Sequence, residues 1–437
     1  MDPITSTFVL FGGMFSMLIV GVPIAVALGG LSVILVYFFW GPNALPMIAL
    51  KSFGTTSSFE FVAIPLFIFM ASMLERSGVA ERLYQTMNWL VRRIRGGLAI
   101  GTIGVCTLFA AMAGISGAAT VAMGMLALPA MLSRGYSKDL AIGSVAAGGS
   151  LGILIPPSVT MIVYGLISNT SIGKLYAGGV LPGLMMAGLF VAYIMIRTGF
   201  QPHLAPSSED LKNIEAPSKK EILGSIAPPV SLVFAVLGAI LFGWTSISEA
   251  AAVGALGSII VTGIGGQLKG QAIQEACRST LLMSCLIFWI IIGASAFSTL
   301  YTALGASELV KDIVLGWDVN RYFVLFIMML ILLVLGMVID TVGIILITVP
   351  AFLPVTSALG FDPVWFGVLF IINMEIGFIT PPFGYNLFYL KGVVPDGVTM
   401  GDIYKSVIPF VLVMLLALAI CILIPDIILA LPSALFS

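Results

Sequence analysis

Two short segments with a double proline are the residues of this chain whose types and spacing indicate chemistry. They read GILIPPS at 152–158 and GFITPPF at 377–383. Each lies in an apolar stretch long enough to cross a bilayer, where proline removes a backbone donor and clashes with the preceding helical turn. A helix broken at membrane depth frees carbonyl groups that lipid cannot satisfy, so it is tolerated only beside protein or a water-filled cavity. Two matched breaks therefore predict a binding site.

The composition indicates which class of protein must position these breaks. Of the 437 residues, 59% are hydrophobic and 9% are charged, which excludes an ordinary soluble domain. The net charge of −1 gives no reason to expect nucleic acid as a partner. A single histidine, His203, and no HExxH sequence leave no zinc-protease site and no serine-histidine-aspartate set, so no enzymatic activity is expected. We predict an all-α polytopic membrane protein.

Apolar segments and basic residues predict the helices of the first half. Helices are expected at about 4–21, 23–40 and 59–75, and the Arg76–Arg95 region is expected to form an amphipathic helix on the cytoplasmic membrane surface. The apolar stretch 97–132 has basic residues at both ends and small or hydroxyl residues in its middle. It is long enough for two half-spans, so we predict a re-entrant hairpin. A broken helix at about 139–169 follows, and a helix at about 175–197 returns.

The second half has the same order of elements. A polar stretch at 200–220 reads as a cytoplasmic linker. Beyond it we predict helices at about 222–243, 247–266 and 279–303, a second hairpin at about 322–357, a broken helix at about 364–390 and a closing helix at about 406–424. Residues 1–199 and 221–437 are therefore predicted to be two structural repeats.

The spacing of matched residues supports this repeat. Thr120 and Pro129 have the spacing of Thr341 and Pro350, both shifted by about 221 positions, and the double prolines are shifted by about 225. An odd number of predicted crossings separates the two starts, so the repeats have inverted topology. In that architecture, substrate and ion sites form near the midplane, between discontinuous helices.

The set of motifs resembles a known family. GISGAAT at 114–120, GILIPPS at 152–158, the pair Asp340-Thr341 and TPPFGYN at 380–386 resemble the large membrane (M, DctM-like) subunit of TRAP transporters, the tripartite ATP-independent periplasmic systems. The likeness covers nearly the whole chain. It implies sodium-coupled uptake across a bacterial inner membrane by an elevator movement, with two or more sodium ions transported. It also implies a small four-helix membrane subunit, a periplasmic substrate-binding protein and an organic-acid substrate such as a C4-dicarboxylate or a sialic acid.

The tips of the predicted hairpins and the breaks in the predicted helices supply oxygen atoms, which sodium prefers because it is a hard cation. We expect the sodium ligands to come from Ser116, Thr120, Ser150, Gly152, Asp340, Thr341, Gly377 and Thr380. The N-termini of half-helices carry partial positive charge that suits a carboxylate. We expect the substrate to contact Gly117, Ser158, Thr380, Pro381 and Asn386.

The sequence leaves the identity of the ion that drives transport undecided. A carboxylate in a membrane-embedded hairpin tip costs free energy, so its presence indicates a functional role. Asp340 is therefore a functional candidate. Glu375 lies about a turn and a half before the second break and can equally serve as an interhelical hydrogen-bond partner. In a proton-driven alternative, Asp340 and Glu375 are the titrating groups. No GxxxxGK[ST] sequence is present, so either mechanism must use an ion gradient rather than ATP.

Overall fold

The computed structural model describes residues 3–114, 116–206, 217–316 and 319–436. All regular secondary structure in these residues is helical. By length and composition, eight of the described helices can cross a membrane, or nine when a bent pair is counted as one span. The chain is therefore a multi-pass helical membrane protein, which confirms the predicted class.

The first part of the chain forms ten α-helices in its described residues. They are α1 Pro3–Ile19, α2 Ile24–Trp40, α3 Leu45–Thr56, α4 Ala63–Glu75, α5 Val79–Val91, α6 Gly97–Ala113, α7 Ser116–Ser133, α8 Lys138–Ser150, α9 Val159–Ser168 and α10 Ile172–Phe200. The helices expected at 4–21 and 23–40 are present. The helix expected at 59–75 is the second arm of a pair bent by 58°, whose first arm includes α3 and was not predicted.

The second part, as far as the structure describes it, forms ten more α-helices. They are α11 Lys219–Leu241, α12 Ile247–Ile264, α13 Gly270–Ala303, α14 Ala306–Leu315, α15 Arg321–Val338, α16 Thr341–Ala358, α17 Pro363–Ile379, α18 Tyr385–Lys391, α19 Met400–Leu423 and α20 Asp426–Leu435. The sequence prediction lacked α14 and α20, and it began the closing helix six residues late. Of the linker predicted at 200–220, residues 207–216 lie outside the described residues.

Both predicted broken helices are broken. The first consists of α8, a 3₁₀ turn at Leu151–Ile153, a proline segment and α9. The second consists of α17, a turn at 380–384 and α18. The Pro156-Pro157 and Pro381-Pro382 bonds are both cis. The predicted segments 97–132 and 322–357 are likewise helix pairs, since α6 and α7 contact each other, as do α15 and α16.

The two parts of the chain pack on each other reciprocally. Helix α4 packs on α12 while α2 packs on α13. The second helix of each pair packs on the half-helix that follows the other part's break, α7 on α18 and α16 on α9. The amphipathic α5 contacts α11, and its positional counterpart α14 contacts α1. Other elements pack within their own part, as α7 does on α8 and α15 on α17, so the hairpins and breaks have partners on both sides of the linker.

Candidate functional site

The tip of the first hairpin rests on the first break. Gly114 ends α6 with φ +62°, a left-handed conformation that glycine adopts without steric cost. A Cβ atom at this position would lie 2.4 Å from the carbonyl oxygen of Pro157, and the Val159 amide donates to the Gly114 carbonyl at 3.4 Å. Ile115, in the predicted tip, lies outside the described residues. The hairpin and the break therefore form one structural unit.

Polar groups at the first break mainly hold the break together. The Ser158 hydroxyl donates to the Ile153 carbonyl at 2.6 Å and accepts from the Met161 amide at 3.3 Å, which caps α9. The Tyr176 hydroxyl donates to the Ser158 carbonyl at 3.2 Å. Ser158, predicted to contact substrate, is completely buried. Gly152, predicted to bind sodium through its carbonyl, lies in the buried 3₁₀ turn before the prolines.

The second break is more open than the first. Thr380 and Pro381 are partly exposed, and the Thr380 hydroxyl donates back to the Ile376 carbonyl at 2.6 Å. Gly377 lies so close to α15 that a Cβ atom on it would be 2.9 Å from the Gly336 Cα atom. This backbone-to-backbone contact fixes the last turn of α17, next to the point where the helix ends and its final carbonyl groups have no further helical amide to accept from. The close approach of Gly336 was not anticipated from the sequence.

Asp340 and Thr341 form the tip of the second hairpin. The Asp340 carboxylate accepts from the Val342 amide at 3.0 Å and thereby caps α16, a role that a carboxylate favours at the positive end of a helix. Thr341 is 2% exposed, and its hydroxyl has no hydrogen-bond partner within the described part of the chain. A buried hydroxyl without a partner is costly. The Thr341 hydroxyl oxygen is therefore a good candidate for a cation ligand.

The corresponding threonine of the first hairpin has a different environment. Thr120 is buried in the first turns of α7, and its hydroxyl donates to the Ser116 carbonyl at 3.2 Å. A Cβ atom on Gly149 would lie 2.0 Å from this hydroxyl oxygen, so α7 and α8 are in direct contact here. Ser116 itself is 2% exposed. The two threonines, matched by sequence, are thus not equivalent in hydrogen bonding.

Half-helix α18 packs on the first hairpin tip. The Tyr389 ring lies about 3.0 Å from the position that a Cβ atom of Gly117 would occupy, so the first tip contacts this half-helix. Asn386 is completely buried, and neither its amide nitrogen nor its oxygen has a partner in the described residues. Its side chain can still bind a ligand with one donor group and one acceptor.

Ser150 and Glu375 meet between the two broken helices. The Ser150 hydroxyl lies 3.1 Å from Glu375 Oε1 and 2.8 Å from the Ala147 carbonyl oxygen. Both side chains are completely buried. The interhelical hydrogen bond considered for Glu375 from the sequence is therefore present. The hydroxyl of Ser150, predicted as a sodium ligand, is occupied by this contact.

The described residues contain eight candidate spans and two broken helices, which is the architecture of a polytopic membrane protein, and discontinuous helices of this kind form the binding sites of many membrane transporters. The family described as "Tripartite ATP-independent periplasmic transporter, DctM component" matches residues 11–427. The chain belongs to this family of transporter permeases and is not an enzyme.

Named relatives and a solved structure agree with this assignment. The chain is 34% identical to the C4-dicarboxylate TRAP transporter large permease protein DctM of Pseudomonas aeruginosa, over 92% of this chain and 93% of that protein. It is 30% identical to the sialic acid TRAP transporter large permease protein SiaM of Vibrio cholerae, over 88% and 89%. The YdaH transporter of Alcanivorax borkumensis superposes with a TM-score of 0.62 at 16% identity, covering 87% of this chain and 88% of that one. This last likeness concerns the fold alone.

Proposed function

We propose that this chain is the transport subunit of a binding-protein-dependent system for sodium-coupled uptake of an organic anion across the bacterial inner membrane. The observation that carries the proposal is the Thr341 hydroxyl at the second hairpin tip, which is buried and has no hydrogen-bond partner among the described residues. Sodium binding would supply the missing partner, because sodium accepts hydroxyl and carbonyl oxygens as ligands. Asp340, beside it, supplies negative charge at the same tip.

The remaining proposed ligands are carbonyls at the ends of the broken helices and hydroxyls of the first hairpin. Regular α-helix ends at Ser150 in the first break and at Ile379 in the second, so the proposed carbonyls are those of 152–155 and those of the last turn of α17, 377–379. Hydroxyl oxygens of Ser116 and Thr120 lie in the first hairpin and that of Thr341 in the second. Two such groups of ligands support a stoichiometry of two or more sodium ions per transport cycle.

Reciprocal packing supports two inverted repeats and an elevator movement. Each hairpin rests on the half-helix of the other repeat, α7 on α18 and α16 on α9. Hairpins and broken helices therefore form one body that can move together, as alternating access by inverted repeats requires. Helices α2, α4, α12 and α13 pack on one another around this body. We assign them to the part that stays fixed in the membrane.

The substrate is proposed to be a carboxylate or a similar organic anion. The relatives are named for C4-dicarboxylate and sialic acid. In this chain, Gly117 contacts α18, and Asn386 belongs to α18. The Asn386 amide has donor and acceptor groups without partners in the described residues, so it can orient a polar ligand. The N-terminus of α7 presents backbone donors that stabilise an anion. A small membrane subunit and a periplasmic binding protein complete the proposed system, as the family implies.

The test is uptake into proteoliposomes that contain this chain and its small subunit, with the loaded binding protein outside. Uptake should require an inward sodium gradient and should disappear when choline replaces sodium at constant pH. Uptake that persists in choline and follows a proton gradient would instead support the proton-driven alternative. Uptake that does not require the binding protein would contradict the three-component system.

A further inference from the structure

A cavity of about 700 Å³ lies between the amphipathic helix α5, the first turns of α11 and the end of α12. Helix α5 packs on α6 and α11, and α11 packs on α12, so the cavity lies where these helices leave a gap. Arg134, in the turn after α7, also lines it. None of the residues proposed above as sodium or substrate ligands is part of this lining. The cavity is therefore separate from the transport site.

Two guanidinium groups give the cavity a positive charge. Arg134 makes no side-chain hydrogen bond or ion pair within the described part of the chain. Arg82 donates to the Ser77 carbonyl at 3.2 Å, which uses one of the five donors of its guanidinium. Glu221 is the acidic residue of the lining, and its carboxylate accepts from the Ser218 amide at 2.7 Å and so caps α11. The remaining arginine donors suit an anion with several oxygen atoms, such as a phosphate group.

The opposite character of the cavity is apolar, and it continues onto the outer surface of α12. Pro228, Val261 and Ile264 belong to the lining. Ile264 is exposed, and so are Ile260 and Leu256, which precede it at intervals of four residues. Residues four apart lie on one face of a helix, so these three form an apolar stripe that ends at the cavity. Because α12 is a candidate membrane span, acyl chains of lipids can cover this stripe.

Basic residues assign this end of the helix bundle to the cytoplasmic side of the membrane. Arg82 and Arg134 line the cavity, and Lys219 and Lys220 begin α11 beside it. The cytoplasmic leaflet contains anionic lipids, and basic pockets between membrane helices on that side bind their head groups. A free phosphate ion would use the arginines alone, whereas a phospholipid uses both the arginines and the adjoining stripe. The combination favours a lipid.

We propose that this cavity binds an anionic phospholipid of the cytoplasmic leaflet. Arg82 and Arg134 bind the phosphate group, and the acyl chains lie along Leu256, Ile260 and Ile264. The lipid thereby contacts α5, the end of the first hairpin and α12 at the same time. The site depends neither on the substrate nor on the driving ion of the proposed function.

The first test measures the unfolding temperature of the purified complex of this chain with its small subunit. The sample is in neutral detergent micelles with increasing mole fractions of phosphatidylglycerol. This lipid should raise the unfolding temperature, because a ligand that binds only the folded state stabilises it. Phosphatidylcholine has no net charge and inorganic phosphate has no acyl chains, so both should have much smaller effects. If either of them stabilises the complex as well as phosphatidylglycerol does, the site is not specific for an anionic lipid and the proposal is wrong.

A charge substitution tests the role of the arginines. Arg134→Gln breaks no described side-chain contact and should raise the mole fraction of phosphatidylglycerol for half-maximal stabilisation about fivefold, which is about 1 kcal/mol at 1.4 kcal/mol for each factor of ten. Arg93→Gln is the matched control, because Arg93 is exposed in the turn after α5 and does not line the cavity. It should leave the titration nearly unchanged. Equal effects of the two substitutions would show diffuse attraction to a basic surface and would overturn the proposal.

A steric substitution tests the cavity itself without changing its charge. Gly224 lines the cavity, and a Cβ atom on it would have no atom within 4 Å, so Gly224→Phe should place its ring in the cavity. This variant should keep the wild-type unfolding temperature in pure detergent and lose the stabilisation by phosphatidylglycerol. Gly188→Phe is the control, since Gly188 is also an exposed helical glycine with no atom within 4 Å of its Cβ position and lies outside the cavity. If Gly224→Phe still responds to phosphatidylglycerol as the wild type does, the lipid binds elsewhere and the proposal fails.

Discussion

Replacing Thr341 with valine should have opposite effects on the stability of the ion-free protein and on its affinity for sodium. Valine has nearly the shape of threonine but lacks the hydroxyl, which is buried and unpartnered in the described structure. Removing an unpaired buried hydroxyl relieves a cost of about 1–3 kcal/mol. The unfolding temperature of Thr341→Val in choline chloride should therefore be unchanged or higher than that of the wild type.

The same substitution removes one ligand from the proposed sodium site. A loss of about 1–3 kcal/mol of binding free energy corresponds to roughly a tenfold to hundredfold weaker affinity, at about 1.4 kcal/mol for each factor of ten. Sodium that binds only the folded state raises the unfolding temperature by mass action, so a titration measures this affinity without knowledge of the substrate. Sodium chloride should replace choline chloride at constant ionic strength, with the complex of both membrane subunits as the sample.

Two further threonines make the comparison specific. Thr120→Val loses the hydrogen bond to the Ser116 carbonyl, so it should lower the unfolding temperature in choline as well as weaken sodium binding. Thr348→Val is the matched control, because Thr348 lies on the same helix, is 5% exposed and donates to the Ile344 carbonyl at 2.7 Å. A wild-type sodium titration for Thr341→Val would refute the assignment of this hydroxyl to the ion site.

Three other predictions test the architecture. Cysteines placed at the exposed positions Arg95 and Arg134, in a background without the native cysteines, should both react with an impermeant maleimide from the cytoplasmic side; labelling from opposite sides would make 97–132 an ordinary crossing. Gly377→Ala should lower the unfolding temperature and the yield of assembled complex, because its Cβ atom would lie 2.9 Å from a backbone carbon, whereas Gly188→Ala, with no atom within 4 Å, should not. An equal effect of the two alanines would show that the contact between α15 and α17 is loose. Proteoliposomes without the binding protein should take up little substrate at micromolar concentration, and strong uptake there would contradict dependence on that protein.

The parts of the fold missing from the sequence prediction are short or partly polar. Helix α3 contains Lys51 among serine, threonine and glycine residues, so its segment does not read as a membrane span. Helix α14 spans only Ala306–Leu315 and includes charged residues. From sequence alone, such a short and partly charged segment favours a loop. Helix α20 begins after Pro425, beyond the predicted closing helix at about 406–424. Their helical structure is stabilised by packing on neighbouring helices, which local sequence does not specify.

The sequence alone was sufficient to determine the protein class and the places where helices break. Proline cannot continue an α-helix, and apolar length and basic flanks depend only on nearby residues, so the two breaks and most spans follow from local chemistry. The motifs around Gly114, Pro156, Asp340 and Pro381 also sufficed for the family, which the match over residues 11–427 confirms.

Only the tertiary structure decided how the candidate site residues are paired. Thr120 and Thr341 occupy matched positions of the sequence repeat. The Thr120 hydroxyl nevertheless donates to the Ser116 carbonyl, whereas the Thr341 hydroxyl has no partner among the described residues. Ser150, predicted as an ion ligand, instead contacts Glu375 across 225 residues of chain. Such contacts depend on the distance and rotation between helices from different parts of the chain. Local sequence constrains neither quantity, because both are set by the packing of the whole bundle.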